Sequence, residues 1–170
     1  MTAAEDIFGR NEDMIFVSHY DSPLGMIYMA ADEDVLKGVW FEGQKYFASG
    51  LDKKETEDQE TPVLKQTKEW LDLYFAGKDP KFLPPLAPEG SEFRKEVWKI
   101  LLTIPYGKTM TYGEIGRKIA EKTGKKNMSA QAVGGAVGHN PISILIPCHR
   151  VVGTNGSLTG YCLLYTSPSP

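Results

Sequence analysis

The sequence is short of cysteine, of histidine and of long apolar runs. Cys148 and Cys162 are its only cysteines, too few for a disulfide framework and without the partner residues of a structural zinc site. No metal or cofactor is therefore expected, and a reducing compartment fits. No run approaches the ~20 apolar residues needed to span a bilayer. The acidic start Met1-Thr2-Ala3-Ala4-Glu5-Asp6 lacks the basic and apolar regions of a signal peptide. An intracellular, cytoplasmic protein without membrane attachment is expected. The hydrophobic content of 41% is ordinary for a globular chain and excludes a wholly disordered one.

The net charge of −3 conceals an asymmetry. Residues 1–87 carry 9 Lys/Arg against 17 Asp/Glu, a balance of −8, and residues 88–170 carry 10 against 5, a balance of +5. A basic half is the footprint of a surface that meets phosphate, although solvated lysines give the same count.

Residues 1–87 read as a small α/β domain. Ile15–Tyr20 and Gly25–Ala30, separated by Asp21-Ser22-Pro23-Leu24, predict a β-hairpin. Val35–Phe41 predicts a third strand of an antiparallel sheet, on which His19 has no ligand partners. Gly50–Thr61 is charged and reads as a solvated loop or the ragged approach to a helix. Val63, Leu64, Thr67, Leu71, Tyr74 and Phe75 recur at helical spacing between Pro62 and Gly77, which predicts a helix covering the sheet. Four prolines in Asp79–Pro88 exclude a helix and predict an extended linker at a domain boundary.

Residues 88–161 read differently. Ser91 caps a helix with apolar Phe93, Val97, Trp98, Ile100, Leu101 and Leu102, broken at Pro105-Tyr106-Gly107. Thr111 with Glu114 forms a capping box for a second helix running to Gly124. Ser129 opens a third, Ala130–Gly138, whose two mid-helix glycines cost up to ~1 kcal/mol each relative to alanine and are expected to admit another backbone at close range. Val151-Val152 and Leu158 bracket a turn, completing the layout of a winged helix-turn-helix. The third helix lacks the Arg and Asn of a base reader and has one Gln, so it suits shape and backbone contacts.

The chemistry is concentrated in residues 140–152. Ile142, Ile144, Leu145 and Ile146 read as a short buried strand that Pro147 ends, leaving Cys148 at a strand end. A thiol becomes a nucleophile when a base or cation lowers its pKa, and His149 and Arg150 offer both. Neighbours on a strand face opposite ways, so His149 is expected to reach Cys148 through a water. From the dipeptide alone, a buried inert cysteine remains equally open.

Ile146-Pro147-Cys148-His149-Arg150-Val151-Val152, preceded by Ala132-Val133-Gly134-Gly135-Ala136 and Asn140-Pro141, resembles the active-site signature of the O6-alkylguanine-DNA alkyltransferases, the methylated-DNA–protein-cysteine methyltransferases. The likeness extends back through Ile104-Pro105-Tyr106-Gly107 and Thr111-Tyr112 and forward to Gly160-Tyr161. It implies an α+β fold: a small amino-terminal antiparallel sheet with a helix, ribonuclease H-like in the family, joined to a winged helix-turn-helix-like domain. It also implies a monomeric, prokaryotic repair protein that binds double-stranded DNA with the alkylated base flipped, through a third helix in the minor groove. Cys148 would accept the alkyl group irreversibly, with His149 as its base. Tyr112 would crowd the lesion's phosphate and rotate the base, although a core role for this tyrosine is equally plain. Asn140 would bridge the recognition helix and the active-site segment, where Asn-Pro also reads simply as a turn. Val151 would offer backbone contacts to guanine, and Arg150 would anchor the motif internally.

Two departures stand out. Gln131 occupies a position where many members insert an arginine into the base stack, which predicts weaker DNA binding. After Tyr161 the family continues into a helix bearing a glutamate that holds the histidine. Here residues 162–170 read as a translated sequencing adapter, a non-native tail in which Cys162 is an accident. A weakly held His149 is the expected consequence. Two rival classes exist. A cysteine hydrolase needs its base in direct reach, and a non-catalytic lesion-binding relative would lack Cys148.

Overall fold

The computed structural model describes residues 14–44, 47–48, 56–124 and 129–153. β1 (Ile15–Ser22) and β2 (Gly25–Ala31) form the expected hairpin. Its turn closes locally: the Ser22 hydroxyl donates to the Gly25 carbonyl at 2.6 Å and accepts from the Leu24 amide at 3.1 Å. Asp32 Oδ1 accepts the amides of Asp34 and Val35, both at 2.8 Å, an Asx turn that starts β3 (Leu36–Phe41).

The sheet order is β3-β2-β1-β4. β4 (Thr56–Asp58) pairs parallel to β1, which corrects two expectations: the sheet is mixed, and part of the charged segment is an edge strand. Its three residues are all exposed, so no apolar alternation marked it. α1 (Pro62–Phe75) begins with proline, capped by Thr61, whose side chain accepts from the Leu64 amide. It lays Val63, Leu64, Thr67, Trp70 and Leu71 on the sheet.

β3 is the sheet's other edge, and it is used twice. Leu36 donates to Pro85 O at 2.8 Å and accepts from Ala87 N at 2.9 Å, pinning the proline-rich linker. Val39 donates to Pro141 O at 2.8 Å and accepts from Ser143 N at 2.9 Å, pinning the segment that leads to Cys148. An edge strand's unpaired amides and carbonyls are a template for such docking.

α2 (Glu92–Leu101), α3 (Tyr112–Thr123) and α4 (Ala130–Gly138) follow. Ser91 caps α2 through the Arg94 amide, and Thr111 and Glu114 form the capping box of α3. Gly124 ends α3 in the left-handed region, φ 76°, a conformation that suits glycine. α2 ends at Leu101, and Leu102, expected in the buried stripe, is 40% exposed because it lies past the helix end. Trp98 Nε1 donates to Ala136 O at 2.8 Å, tying α2 to α4 beneath the surface. β5 (Met110–Thr111) pairs in parallel with β6 (Val151–Val152). Leu158, expected in the wing, lies outside the described residues.

One apolar cluster runs from Ile27, Met29 and Leu71 through Trp98, Leu101, Ile115 and Ile119 to Ile142, Ile146 and Cys148. Among the described residues, no other backbone of the fold packs on the α4 glycines. A Cβ built on Gly134, Gly135 or Gly138 meets nothing within 4 Å. These half-buried glycines border open space, which leaves room for a partner outside the fold.

Candidate active site

The segment from Asn140 to Arg150 is a buried, hydrogen-bonded turn region where a strand was expected. Ile142 makes only a single bridge to Val39, and Leu145 and Ile146 donate back to Ser143 and Ile142. Ile144 has φ 71°, a left-handed conformation costly for a β-branched residue. Hydrophobic content alone does not separate a buried strand from a buried turn, and here local hydrogen bonding decides.

Asn140 holds the two ends of this turn together. Buried to 2% exposure, its Nδ2 donates to Ile146 O at 2.7 Å and its Oδ1 accepts from Ile142 N at 3.0 Å. A buried polar pair ties the same turn to the sheet: the Ser143 hydroxyl donates to Gln44 Oε1 at 3.0 Å, which also accepts from Phe41 N at 3.0 Å. Past Pro147 the chain enters a single 3-10 turn, Cys148–Arg150, so consecutive side chains do not alternate as on a strand. Cys148 is fully buried, and its amide donates to Ile146 O at 2.8 Å.

The sequence's other cysteine, Cys162, lies outside the described residues.

His149 Nε2 lies 3.0 Å from the Tyr74 hydroxyl of α1. Its Nδ1 is buried and has no hydrogen-bond partner among the described residues. Burial, reinforced by the adjacent Arg150 guanidinium, lowers the His149 pKa to about 4, so the ring is neutral at pH 7. Arg150 Nη1 donates to Ile104 O at 2.9 Å, and its guanidinium lies 5.6 Å from the Tyr106 ring centre. Both contacts are internal. Burial raises the Tyr74 and Tyr112 pKa values, keeping both as neutral phenols.

Tyr112 opens α3, half-buried against the core. Gln131 is exposed on the first turn of α4. Val151 is 1% exposed, its backbone in β6. The fold thus gathers Asn140, Cys148, His149 and Arg150 in one turn, with Tyr112 and Gln131 on the helix-turn-helix. Sequence reasoning missed Tyr74, which its helical spacing assigned to the apolar face, and Gln44, which carries no local signal at all. Gly160 and Tyr161 lie outside the described residues.

A buried cysteine beside a neutral histidine, joined to a helix-turn-helix whose last helix is bare, defines a DNA-binding protein class with a thiol at its centre. Residues 15–88 match the family description "6-O-methylguanine DNA methyltransferase, ribonuclease-like domain", and residues 92–167 match "6-O-methylguanine DNA methyltransferase, DNA binding domain". A methylated-DNA–protein-cysteine methyltransferase of Methanosarcina acetivorans is 42% identical over 150 residues, spanning 86% of this chain and 89% of that protein. One from Mycolicibacterium paratuberculosis is 43% identical over 148 residues, 87% of this chain and 84% of that protein. Among solved structures, Mycobacterium tuberculosis O6-methylguanine methyltransferase superposes with a TM-score of 0.72 at 39% identity, covering 88% of this chain and 86% of the other. Mycobacterium tuberculosis OGT in complex with DNA gives 0.70 at 37%, covering 88% and 84%. The chain belongs to the methylated-DNA–protein-cysteine methyltransferase family.

Proposed function

We propose that this chain repairs DNA by moving the alkyl group of O6-alkylguanine onto Cys148, once per molecule. The observation that carries the reading is the clamped turn in which Cys148 and His149 follow Pro147 at the foot of the helix-turn-helix. The reduced Cys148 sulfur attacks the alkyl carbon as the bond to O6 breaks. The electron pair leaves on guanine, which takes up a proton, and the thioether stays on the protein. His149, neutral because it is buried, receives the thiol proton through a water. Cys148 has no exposed surface, so a base stacked in a duplex cannot present its alkyl carbon; the base must be extruded, at a cost of a few kcal/mol that a poorly paired lesion lowers. O4-alkylthymine is a second substrate compatible with the same displacement.

Residues 1–87 serve as a supporting domain and residues 88–161 as the DNA-binding and transfer domain. Gln131, at the start of the bare face of α4, faces the minor groove and fills the place of the flipped base. Tyr112 presses on the lesion's phosphate, Val151 offers its backbone to guanine, and Asn140 and Arg150 hold the turn. The chain acts as a cytoplasmic monomer needing no cofactor. Incubation of the reduced protein with O6-methylguanine duplex, followed by peptide mass spectrometry, tests the assignment. One CH2 group is expected on the Cys148 peptide, in one-to-one stoichiometry. Repair without that adduct, or an adduct elsewhere, would refute it.

A further inference from the structure

Tyr74 belongs to the amino-terminal helix α1, 75 residues from His149 in sequence, yet its hydroxyl is the one polar partner of the imidazole among the described residues. Nothing in the transfer scheme so far uses it. The Tyr74 ring is fixed on several sides. It stacks on Trp70 at 5.3 Å and 10°, and meets Phe75 at 5.4 Å and 87°, Tyr106 at 6.3 Å and 90°, and His149 itself at 6.0 Å and 81°. Edge-to-face and offset arrangements at these separations are the preferred ones for aromatic rings. A phenol held this way presents its oxygen at one place, and the ring nitrogen it meets is fixed with it.

The hydrogen bond also selects a tautomer. Neutral imidazole carries one N–H and one lone pair. With the proton on Nδ1, a buried N–H would be left without an acceptor, which is rarely tolerated; a buried unpaired acceptor is less costly. Placing the proton on Nε2 satisfies it on the Tyr74 oxygen and leaves the Nδ1 lone pair open. Tyr74 is itself kept neutral by burial, so its oxygen remains a hydroxyl that accepts from Nε2–H before proton transfer and after it.

We infer that Tyr74 is a positioning residue for alkyl transfer: its hydroxyl accepts from His149 Nε2–H and so directs the Nδ1 lone pair to take up the Cys148 thiol proton. The inference rests on the reading of His149 as the base. It makes the amino-terminal domain a contributor to the active centre. The proton leaves sulfur for Nδ1 through the bridging water, the imidazolium keeps its Nε2–H on Tyr74, and solvent supplies the proton that guanine takes up.

The test uses the full reduced chain. Nitrogen-15 NMR of the unmodified protein is expected to show the His149 proton on Nε2 at pH 7; finding it on Nδ1 would overturn the inference without any variant. Tyr74→Phe keeps the aromatic packing and removes only the oxygen. It is expected to slow single-turnover transfer from O6-methylguanine duplex by about three- to tenfold, the worth of one hydrogen bond, with duplex affinity unchanged and the tautomer signal shifted or averaged. A Tyr74→Phe rate equal to that of the parent, or a slower rate with the tautomer unaltered, overturns the inference. His149→Gln separates the two layers. If it is slow while Tyr74→Phe is not, His149 stands as the base and Tyr74 falls; if His149→Gln transfers at the parental rate, the reading of His149 itself fails.

Discussion

Replacing Asn140 by alanine removes both hydrogen bonds that close the turn carrying Cys148. The Ile142 amide and the Ile146 carbonyl then lose their side-chain partner, in a site where Asn140 itself is 2% exposed and both isoleucines are fully buried. Leaving a buried polar group unsatisfied costs about 1–3 kcal/mol. Ile146 O is spared the full cost if Cys148 N, 2.8 Å away, remains its donor, so the sum should fall in the lower half of the range for two groups, about 3 kcal/mol. For a chain of this size about 1 kcal/mol corresponds to 2–4 °C, which predicts a fall in Tm of roughly 6–12 °C by calorimetry. Asn140→Asp is the sharper comparison. Its carboxylate still accepts from Ile142 N, but its other oxygen faces the Ile146 carbonyl, and a buried unpaired charge is added. Asp should therefore be no better than Ala at pH 7 and should recover as the carboxyl protonates in acid. Transfer should slow in both variants because Pro147 and Cys148 directly follow the released carbonyl. A Tm loss below about 2 °C for Asn140→Ala, or an Asp variant as stable as the parent at pH 7, would refute the clamp.

The remaining predictions concern charge and the glycine face of α4. His149 has a folded pKa near 4 against an ordinary value of 6.5, so the unfolded chain binds more protons between those values. Stability should be fully present above pH 6.5 and fall as the pH drops toward 4, by on the order of 3 kcal/mol; urea melts across this range should show a component that His149→Gln abolishes. Gly135→Ala meets open space and should stabilise α4 by up to about 1 kcal/mol while weakening duplex binding, because the added methyl intrudes on the surface offered to DNA. A more stable variant with undiminished affinity would place DNA elsewhere. Gln131→Arg should tighten binding and steepen its salt dependence by about one unit of log–log slope, measured by titration at several salt concentrations.

Local chemistry was written in the sequence where a residue's partner is a few positions away. The Ser91 cap, the Thr111–Glu114 capping box and the Gly124 stop all act within one helical turn, and the hairpin turn at Ser22–Gly25 closes on its own side chain. The run of residues around Cys148 and His149 carried the resemblance to the family, because a motif of reactive side chains is legible without any fold. What tertiary structure alone decided is everything that depends on distant partners. An all-apolar run such as Ile142–Ile146 is equally content in a strand or a buried turn, and the choice fell to Asn140, Gln44 and the edge of β3. β4 has no apolar face to announce it and exists because the β1 edge was open. The glycines of α4 proved to border empty space, since a glycine's sequence signature is the same whether a backbone or a solvent-filled groove lies opposite. Tyr74 meets His149 only because α1 comes alongside the turn that follows Pro147, and no spacing within either segment encodes that meeting.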